Sequence, residues 1–288
     1  MNKDRRSDSR RSGGGESMMA LEDKHIEVNA AFYAMENKSK YLGKTLVQRA
    51  SELPLIKDNV ISTGVPDLDE ITGLGGIPVG FITEIYGEEM SGKTSLALRI
   101  VREAQKTGAV LYIDADRGLS PYLLRCAGIT QDNFYIAHPN TLEDAYEMCF
   151  WASPAFKLIV IDTLSALPTL QEVENDLDYS ALHRGAMVAK FFNDLSNRLA
   201  VDHCACILVN QTILNPRVLF GNPLTPAGGH ALRHFKALSM RICKIYGKKG
   251  ISDFFVQVAK NKLGTPRKSC EFPISETKYD RIELQYFF

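Results

Sequence analysis

Gly87-Glu88-Glu89-Met90-Ser91-Gly92-Lys93-Thr94 is the most informative segment of the sequence, because it fits G-x-x-x-x-G-K-[ST] at every fixed position. An apolar run, Phe81–Tyr86, precedes it, and a helix-forming run begins at Ser95. In such a strand–loop–helix setting, backbone N–H groups converge on phosphates and the helix N-terminus adds a favourable dipole. Lys93 is expected to reach the β- and γ-phosphates of ATP, and the Thr94 hydroxyl to ligate Mg²⁺.

Other carboxylates follow neighbouring apolar runs. Asp162 ends the run Leu158–Ile161, as expected for the acidic residue that holds the metal ion's water shell. Asp114 and Asp116 follow the run Ala109–Ile113, and the carboxyl ends of parallel strands meet at one edge of a sheet, where ligands bind. One of these two carboxylates is a candidate to orient or deprotonate an attacking water. A solvated loop pair is the alternative, and the spacing favours neither residue.

Apolar strand patterns alternate with helical patterns along most of the chain. Predicted strands are Phe81–Tyr86, Ala109–Ile113, Phe134–Ala137, Leu158–Ile161 and Ala205–Val209. Predicted helices are 22–38, Thr94–Lys106, Leu142–Trp151 and Ala181–Leu199. This alternation predicts an α/β fold with a mainly parallel sheet and helices on both faces. From Ser239 to Phe288, strand-like runs follow one another without a long helix, which predicts antiparallel strands at the C-terminal edge of the sheet.

The chain of 288 residues has the composition of a globular protein, but its charges are unevenly distributed. The net charge is zero, yet residues 130–182 hold nine acidic residues against one basic, and residues 207–270 hold eleven basic residues against one acidic. Three alternatives fit this asymmetry: a polyanion-binding surface, two halves that pair within the fold, or neighbouring subunits that pair in an assembly. The basic, Ser- and Gly-rich residues 1–20 are predicted to form a disordered tail.

The cysteines and the apolar runs limit the cellular setting. The six cysteines form no C-x-x-C pair and no zinc spacing, which favours reduced thiols. No apolar run has the length of a membrane span or the character of a secretory signal. A cytoplasmic protein without a membrane partner is therefore predicted.

Further motifs accompany the phosphate loop along the chain. They are Ile61–Gly64 with Leu68-Asp69, the turn Gly75–Gly80, YIDAD ending at Asp116, LIVID ending at Asp162, Asn210-Gln211, FGNP-x-T-x-x-GG-x-AL over Phe220–Leu232, and Lys260-Asn261-Lys262. In this order they resemble the RecA-type recombinases of bacteria and phages, over roughly residues 21–288. The stretch 220–232 is the most specific motif, and it resembles the second DNA-binding loop of these recombinases, not the corresponding region of replicative helicases. The resemblance implies a RecA-like P-loop core over residues 55–288 and, over residues 21–54, a helical arm that packs on the next protomer of a filament.

The resemblance also implies roles for the residues around the nucleotide. Gly87 to Ser95 would bind ATP, with Thr94 and Asp162 holding Mg²⁺. Asp116 would activate the attacking water. Gln211 would sense the γ-phosphate. These residues together would form a DNA-dependent ATPase site.

Two lysines and two loops receive further roles from the resemblance. Lys260 and Lys262 would reach the ATP of the neighbouring subunit. The loop Thr212–Gly228, coupled to the γ-phosphate, would bind DNA, and the region Glu172–Arg184 would be the first DNA loop. The candidate DNA-binding residues are Arg217, Gly221, Asn222, Thr225, Gly228, Gly229 and Arg233. The Gly-, Pro- and Thr-rich composition of this stretch favours sequence-neutral contacts between backbone groups and phosphates.

The chain departs from the family pattern in three places. Asp116 stands where the family usually has Glu, and a carboxylate that ends about 1 Å away from its productive position can slow a reaction about 10²-fold. The region Glu172–Arg184 is acidic and matches the family weakly. The chain ends at Phe288, where typical bacterial members continue into a further domain, and its basic tail is additional; both features favour a phage-encoded or divergent member.

The expected function is that of an ATP-dependent recombinase that forms helical filaments on single-stranded DNA and pairs it with homologous duplex DNA. Loader or single-strand-binding proteins would be its partners, and the cytoplasm of a bacterial or phage-infected cell its location. One alternative is a hexameric P-loop helicase or translocase, which forms closed rings instead of filaments. The other is an ATP-gated regulatory module with little hydrolysis, an alternative that Asp116 supports.

Overall fold

The computed structural model describes residues 13–42, 47, 49, 51, 59–174, 180–214, 224–227, 229–247, 250–266 and 268–273. The chain divides into two compact units, residues 1–55 and residues 56–288. The division lies one residue from the predicted boundary between the arm and the core.

The first unit contains one long helix, α1 (Gly13–Leu42). The prediction of a disordered tail is wrong for residues 13–20, which are helical, and residues 1–12 lie outside the described part of the chain. The Met, Ala, Leu and Glu residues between 16 and 22 have high helix propensity, which explains the early start. The large apolar side chains of α1 that are exposed are Ile26, Val28, Tyr33 and Met35.

The second unit alternates strands and helices. Its described helices are α2 (Pro66–Thr72), α3 (Lys93–Ala104), α4 (Pro121–Cys126), α5 (Leu142–Ala152), α6 (Leu170–Glu174), α7 (Ser180–Asp202) and α8 (Gly229–Phe235). Its described strands are β1 (Val60–Ile61), β2 (Ile77–Pro78), β3 (Ile82–Gly87), β4 (Val110–Asp114), β5 (Phe134–Ala137), β6 (Leu158–Asp162), β7 (Ala205–Leu214), β8 (Leu224–Pro226), β9 (Lys236–Gly247), β10 (Gly250–Asn261) and β11 (Ser269–Pro273). The five predicted strands and the three predicted helices of the core are thus confirmed: β5 has the predicted bounds, and the ends of the other elements differ by at most five residues.

One large sheet organises the second unit. Its strands lie in the order β11-β10-β9-β3-β7-β6-β4-β5, and β8 pairs with β7. Strands β3, β7, β6, β4 and β5 are parallel, and β9 is also parallel to β3, whereas β10 and β11 run antiparallel to their neighbours. The predicted antiparallel edge is therefore confirmed, although its innermost strand, β9, continues the parallel part of the sheet.

Helices cover the sheet on both faces and create two hydrophobic cores. Along β6, Leu158 and Val160 pack into the core beneath α3, whereas Ile159 and Ile161 pack into the core beneath α5 and α7. All four side chains are fully buried. Because each face is covered, the central strands are continuous apolar runs instead of alternating ones. Burial of each such side chain contributes about 1.5–3 kcal/mol to stability. None of the helices in the described ranges is long and apolar enough to cross a membrane.

Candidate nucleotide site and DNA interface

The phosphate loop joins the end of β3 to the start of α3 at the carboxyl edge of the parallel strands. Two of its glycines are required by their surroundings. A Cβ atom at Gly87 would overlap the carbonyl oxygen of Ile242, and one at Gly92, whose φ is 96°, would overlap the ring of Phe254. The hydroxyl of Ser91 is buried and has no hydrogen-bond partner within the described part of the chain. This loop fits a phosphate group, which accepts hydrogen bonds from backbone N–H and hydroxyl donors.

The lysine of the loop is buried and held across the loop. The Lys93 ammonium donates a hydrogen bond to the carbonyl oxygen of Glu88 at 2.6 Å. Desolvation lowers the pKa of Lys93, while the nearby charges of Asp162 and Glu89 oppose this change. A phosphate near the ammonium would add negative charge and favour its protonated form. The position of Lys93 therefore fits its predicted role at the β- and γ-phosphates.

The two residues predicted to hold Mg²⁺ lie side by side. The Thr94 hydroxyl donates a hydrogen bond to Oδ2 of Asp162 at 2.9 Å, and the Tyr112 hydroxyl donates to the same oxygen at 2.7 Å. Burial raises the pKa of Asp162, and the hydrogen bonds from Tyr112 and Thr94 lower it again. One hydroxyl and one carboxylate suit Mg²⁺, which keeps several waters and completes its coordination with substrate phosphates. The sequence prediction placed Thr94 and Asp162 at one site, and the structure brings them together.

The structure distinguishes the two carboxylates that follow β4. Asp114 is buried, and its two oxygens accept hydrogen bonds from the N–H groups of Gly118 at 3.0 Å and Leu119 at 3.1 Å. Asp116 is exposed and accepts a hydrogen bond from the Gly118 N–H at 3.1 Å. Partial desolvation, the charge of Asp162 and a hydrogen bond with Asp114 raise the pKa of Asp116. Asp114 therefore shapes the loop, while Asp116 is the accessible carboxylate near the pair predicted to hold Mg²⁺.

Gln211, the predicted sensor of the γ-phosphate, lies on β7 directly beside the phosphate loop. In the parallel register of β3 and β7 it pairs with Gly87. Its carbonyl oxygen accepts a hydrogen bond from the N–H of Ala227 at 2.9 Å. Beyond it, β7 pairs with β8, with Ile213 opposite Thr225. Gln211 thus lies between the phosphate loop, on one side, and the base of the predicted DNA loop, on the other.

The predicted DNA-binding residues fall into two groups. Arg217, Gly221, Asn222 and Gly228 lie outside the described residues. Of the others, Thr225 is half-buried in β8, Gly229 begins α8, and Arg233 is exposed in the last turn of α8. The described members therefore lie on both sides of the end of the loop.

Lys260 and Lys262 lie together at the end of α8. The Lys260 ammonium donates a hydrogen bond to the carbonyl oxygen of Arg233, and that of Lys262 donates to the carbonyl oxygen of His234. Such contacts are favourable because the carbonyl groups at a helix C-terminus attract cations. Desolvation, followed by the charges of Lys262 and Lys236, lowers the pKa of Lys260 to about 8. Within one protomer, both lysines thus bind backbone carbonyls of the element that follows the DNA loop.

The predicted first DNA loop begins and ends at an ion pair. Arg184 contacts the Glu172 carboxylate at 3.1 Å and donates a hydrogen bond to the Leu167 carbonyl oxygen at 2.6 Å. The hydrogen bond from the Thr169 N–H is the main cause of the lowered pKa of Glu172. Residues 175–179 lie outside the described part of the chain. One acidic residue and one basic residue of this region therefore hold the base of the loop.

Sequence reasoning missed Tyr112 and a buried polar cluster around Glu84. The sequence contains a sign of both: Tyr112 is the one residue with a hydroxyl group in the apolar run VLYI, and Glu84 is a charged residue inside the predicted strand FITEIY. Both residues are fully buried, and both make side-chain hydrogen bonds. A polar group within a buried strand requires such partners, but the partners lie far away in sequence.

Fold and site together define a class of protein. The phosphate loop follows a central strand, β3, and Asp162, the carboxylate predicted to hold the metal ion, ends β6, two strands away in the sheet. A mainly parallel sheet with this loop and this carboxylate is the core of a RecA-like P-loop nucleotide-binding protein.

Comparison with known proteins specifies the family. The family model of the RecA N-terminal domain matches residues 29–279. Proteins named RecA from Clostridium acetobutylicum and Clostridioides difficile are each 36% identical over 250 residues, which cover 84% of this chain and 72% of theirs. RecA of Clostridium perfringens is 36% identical over 257 residues, covering 86% of this chain and 73% of its own. The chain belongs to the RecA family, so a recombinase is favoured over a ring helicase or a regulatory module.

Proposed function

We propose that this protein hydrolyses ATP with Mg²⁺ while it is bound to single-stranded DNA as a helical filament, and that the filament pairs this strand with homologous duplex DNA. The observation that carries the proposal is the continuity between two sites. The β7 strand runs from the residue beside the phosphate loop, Gln211, directly into the β7–β8 hairpin at the base of the predicted DNA loop. One rigid strand therefore connects the nucleotide to DNA.

ATP would bind across the loop from Gly87 to Ser95, with its phosphates on the backbone N–H groups and on Lys93. Thr94 and Asp162 would hold Mg²⁺, which supplies positive charge to the β- and γ-phosphate oxygens when it is bound. Tyr112 supports this assignment, because its hydrogen bond orients the buried Asp162 carboxylate and opposes the rise in pKa that burial causes. The chain's own contribution is thus to orient the phosphates and to favour the ionised form of the group that would hold the metal ion.

Asp116 would act as the group that orients or deprotonates the attacking water. It is the accessible one of the two carboxylates after β4, and it is close enough to Asp162 for the Asp162 charge to raise its pKa. A raised pKa suits a general base, which must be able to accept a proton near neutral pH. Because Asp is one methylene shorter than Glu, we expect slow hydrolysis and persistent filaments.

Lys260 and Lys262 would complete the ATP site of a neighbouring protomer. Their ammonium groups lie next to each other, and each is held by a carbonyl oxygen at the end of α8. Both ammonium groups are therefore presented on the same surface of the protomer. Cations at that site would stabilise the negative charge that develops on the phosphates. In this arrangement, hydrolysis depends on filament assembly.

DNA would be bound by the loop that starts at Thr212, through Arg217, Gly221, Asn222, Thr225, Gly228, Gly229 and Arg233. The basic composition of residues 207–270 supports binding that depends mainly on phosphates. In that case Arg217→Ala should lower the slope of log affinity against log salt concentration by about one unit. An unchanged slope would remove Arg217 from the interface.

The arm would mediate contacts between protomers. Ile26, Val28, Tyr33 and Met35 of α1 are exposed, and apolar side chains of this size on one helix are suited to a partner surface. A second copy of this chain is the expected partner. The function of α1 would then be polymerisation.

Negative-stain microscopy of the protein with a non-hydrolysable ATP analogue and single-stranded DNA tests the proposal. We expect helical filaments that require both ligands. The matched control is Lys93→Ala, which should form none because it lacks the phosphate-binding ammonium. Closed rings, or filaments that are equally abundant without nucleotide, would contradict the proposal.

A further inference from the structure

A buried polar cluster lies directly behind the phosphate loop. The Glu84 carboxylate, in the middle of β3, is fully buried and contacts three side chains from two neighbouring strands. Lys236 makes an ion pair with Oε2, Ser239 donates a hydrogen bond to the same oxygen at 2.5 Å, and Asn210 donates to Oε1 at 3.1 Å. We call these four residues the Glu84 cluster.

The Glu84 cluster is also tied to the base of the predicted DNA loop. The Asn210 amide nitrogen that contacts Glu84 donates a second hydrogen bond to the carbonyl oxygen of Ala227 at 2.7 Å. The N–H of Ala227 in turn donates to the carbonyl oxygen of Gln211 at 2.9 Å. Ala227 is thus held through both of its backbone polar groups by two successive residues of β7.

The same residues are in register with the start of the phosphate loop. Asn210 pairs with Tyr86, and Gln211 pairs with Gly87, across the parallel β3–β7 ladder. Glu84 precedes Gly87 by three residues on the same strand. A shift of the loop base that breaks the Asn210–Ala227 hydrogen bond therefore acts on the β3 carboxylate that Asn210 also contacts.

Lys236 connects the cluster with the element that follows the loop. It comes directly after α8, whose last carbonyl groups bind Lys260 and Lys262. Burial lowers the pKa of Lys236, and the Glu84 carboxylate opposes this change. A buried ion pair keeps one geometry, because separating its two charges would leave each of them unpaired and without water, which is strongly unfavourable.

We infer that Asn210 is a positioning residue that couples the phosphate loop to the DNA loop, with the buried Glu84 carboxylate as its fixed anchor. The inference rests on the proposed function, because it assumes that the predicted DNA loop, Thr212–Gly228, binds DNA. In the DNA-bound form, Ala227 and Asn210 would stay hydrogen-bonded, so that the position of β7 next to Gly87 favours bound ATP. By linkage, ATP then favours the same loop conformation and raises the affinity for DNA by the same factor.

Two variants separate coupling from simple stability. Asn210→Ala removes the hydrogen bonds to both Glu84 and Ala227. Ser239→Ala removes one hydrogen bond to the same Glu84 carboxylate but, among the residues that the structure describes, none to Ala227 at the loop base, and it is therefore the matched control. Should Asn210→Ala fail to fold, Asn210→Ser replaces it, because a serine hydroxyl is too short to contact both partners.

The measurement is the affinity for a non-hydrolysable ATP analogue with and without single-stranded DNA, below the unfolding temperature of each variant. Coupling between sites commonly amounts to about 5–150-fold in affinity. The factor by which DNA raises the affinity for the analogue should therefore be at least about fivefold smaller in Asn210→Ala than in the wild type. Without DNA, its affinity for the analogue should match that of the wild type. Ser239→Ala should keep the full increase.

Four results would overturn the inference. An undiminished DNA effect in Asn210→Ala removes the coupling role, and an equal loss in Ser239→Ala shows that the cluster acts by packing alone. Loss of analogue binding in Asn210→Ala without DNA would place the residue in the nucleotide site itself. A wild-type protein with no DNA effect on analogue affinity would refute the proposed function, and the inference with it.

Discussion

Tyr112→Phe tests whether Asp162 binds the metal ion and whether its ionised form depends on the buried tyrosine. The hydroxyl of Tyr112 donates a hydrogen bond to Oδ2 of Asp162 at 2.7 Å. Phe keeps the ring, which packs near Phe134 with a centroid distance of 6.0 Å, so the substitution leaves no cavity. It removes one of two hydroxyl donors to a carboxylate whose pKa burial already raises.

The magnitude follows from the worth of a hydrogen bond to a charged group. Such a bond contributes about 1.5–3 kcal/mol to the ionised form, and every 1.4 kcal/mol corresponds to about tenfold in an equilibrium constant. Removing it raises the pKa of Asp162. Mg²⁺ binds the deprotonated carboxylate. At pH values below the pKa of Asp162 in the wild type, the variant should therefore bind Mg-ATP about 10–100-fold more weakly than the wild type. At pH values above the higher pKa of Asp162 in the variant, the carboxylate is ionised in both proteins and the two affinities should converge.

The assay is a titration with a fluorescent ATP analogue at fixed Mg²⁺, repeated from acidic to alkaline pH. The ratio of the two affinities is the relevant quantity, because protonation of the nucleotide affects both proteins equally. Tyr135→Phe, on the neighbouring strand β5, is the control: it removes a tyrosine hydroxyl from a ring that packs on Phe156. A ratio for Tyr112→Phe that does not depend on pH would refute either the metal-binding role of Asp162 or its dependence on Tyr112.

Other substitutions test the remaining parts of the site. Lys260→Ala/Lys262→Ala protein should bind ATP but hydrolyse little, and mixing it with Lys93→Ala protein should restore activity at interfaces that carry both intact halves; mixed filaments without activity would refute catalysis across subunits. Asp116→Glu should raise turnover without changing ATP affinity if reach limits the wild type, the pattern of a transition-state effect, whereas full activity in Asp116→Asn would exclude the residue from catalysis. Gly92→Ala should lower the free energy of unfolding by about 1–3 kcal/mol and weaken nucleotide binding, because its φ of 96° and the neighbouring aromatic ring exclude a side chain; an unchanged urea midpoint would contradict this.

The sequence was sufficient where structure depends on local patterns. The phosphate loop, the strand before it and the helix after it follow from adjacent residues, and the run LIVID predicted both β6 and its terminal carboxylate. The helical start of α1 at Gly13 was missed because the Ser- and Gly-rich composition of the tail outweighed the helix formers beside it. The parallel pairing of β9 with β3 was also missed, since no local pattern encodes which distant strand becomes a neighbour.

The two carboxylates after β4 show why part of the site required the structure. Asp114 and Asp116 differ by two positions, so spacing alone places both near the carboxyl end of the strand. What separates them is the path of the chain: the N–H groups of Gly118 and Leu119 return to bind Asp114, and Asp116 remains exposed. A hydrogen bond between a side chain and a backbone group of the following loop has no signature in the pattern of apolar and polar residues. Which of the two carboxylates is accessible therefore depends on the geometry of the loop, and the sequence pattern could not decide it.

The Glu84 cluster is costly to maintain as a purely stabilising device. Replacing a buried ion pair by apolar residues of similar volume is often neutral or stabilising, whereas removing one partner costs about 3–5 kcal/mol. Glu84 and Lys236 are 152 positions apart, and Glu84 and Asn210 are 126 positions apart, so the chain brings these groups together over long distances. They meet where β3, the strand that leads into the phosphate loop, adjoins both β7, which enters the predicted DNA loop, and β9, which follows α8. An apolar core would have no directional contact to Ala227, and movement of the loop base would then reach β3 only through the backbone hydrogen bond of Gln211 and the β3–β7 ladder.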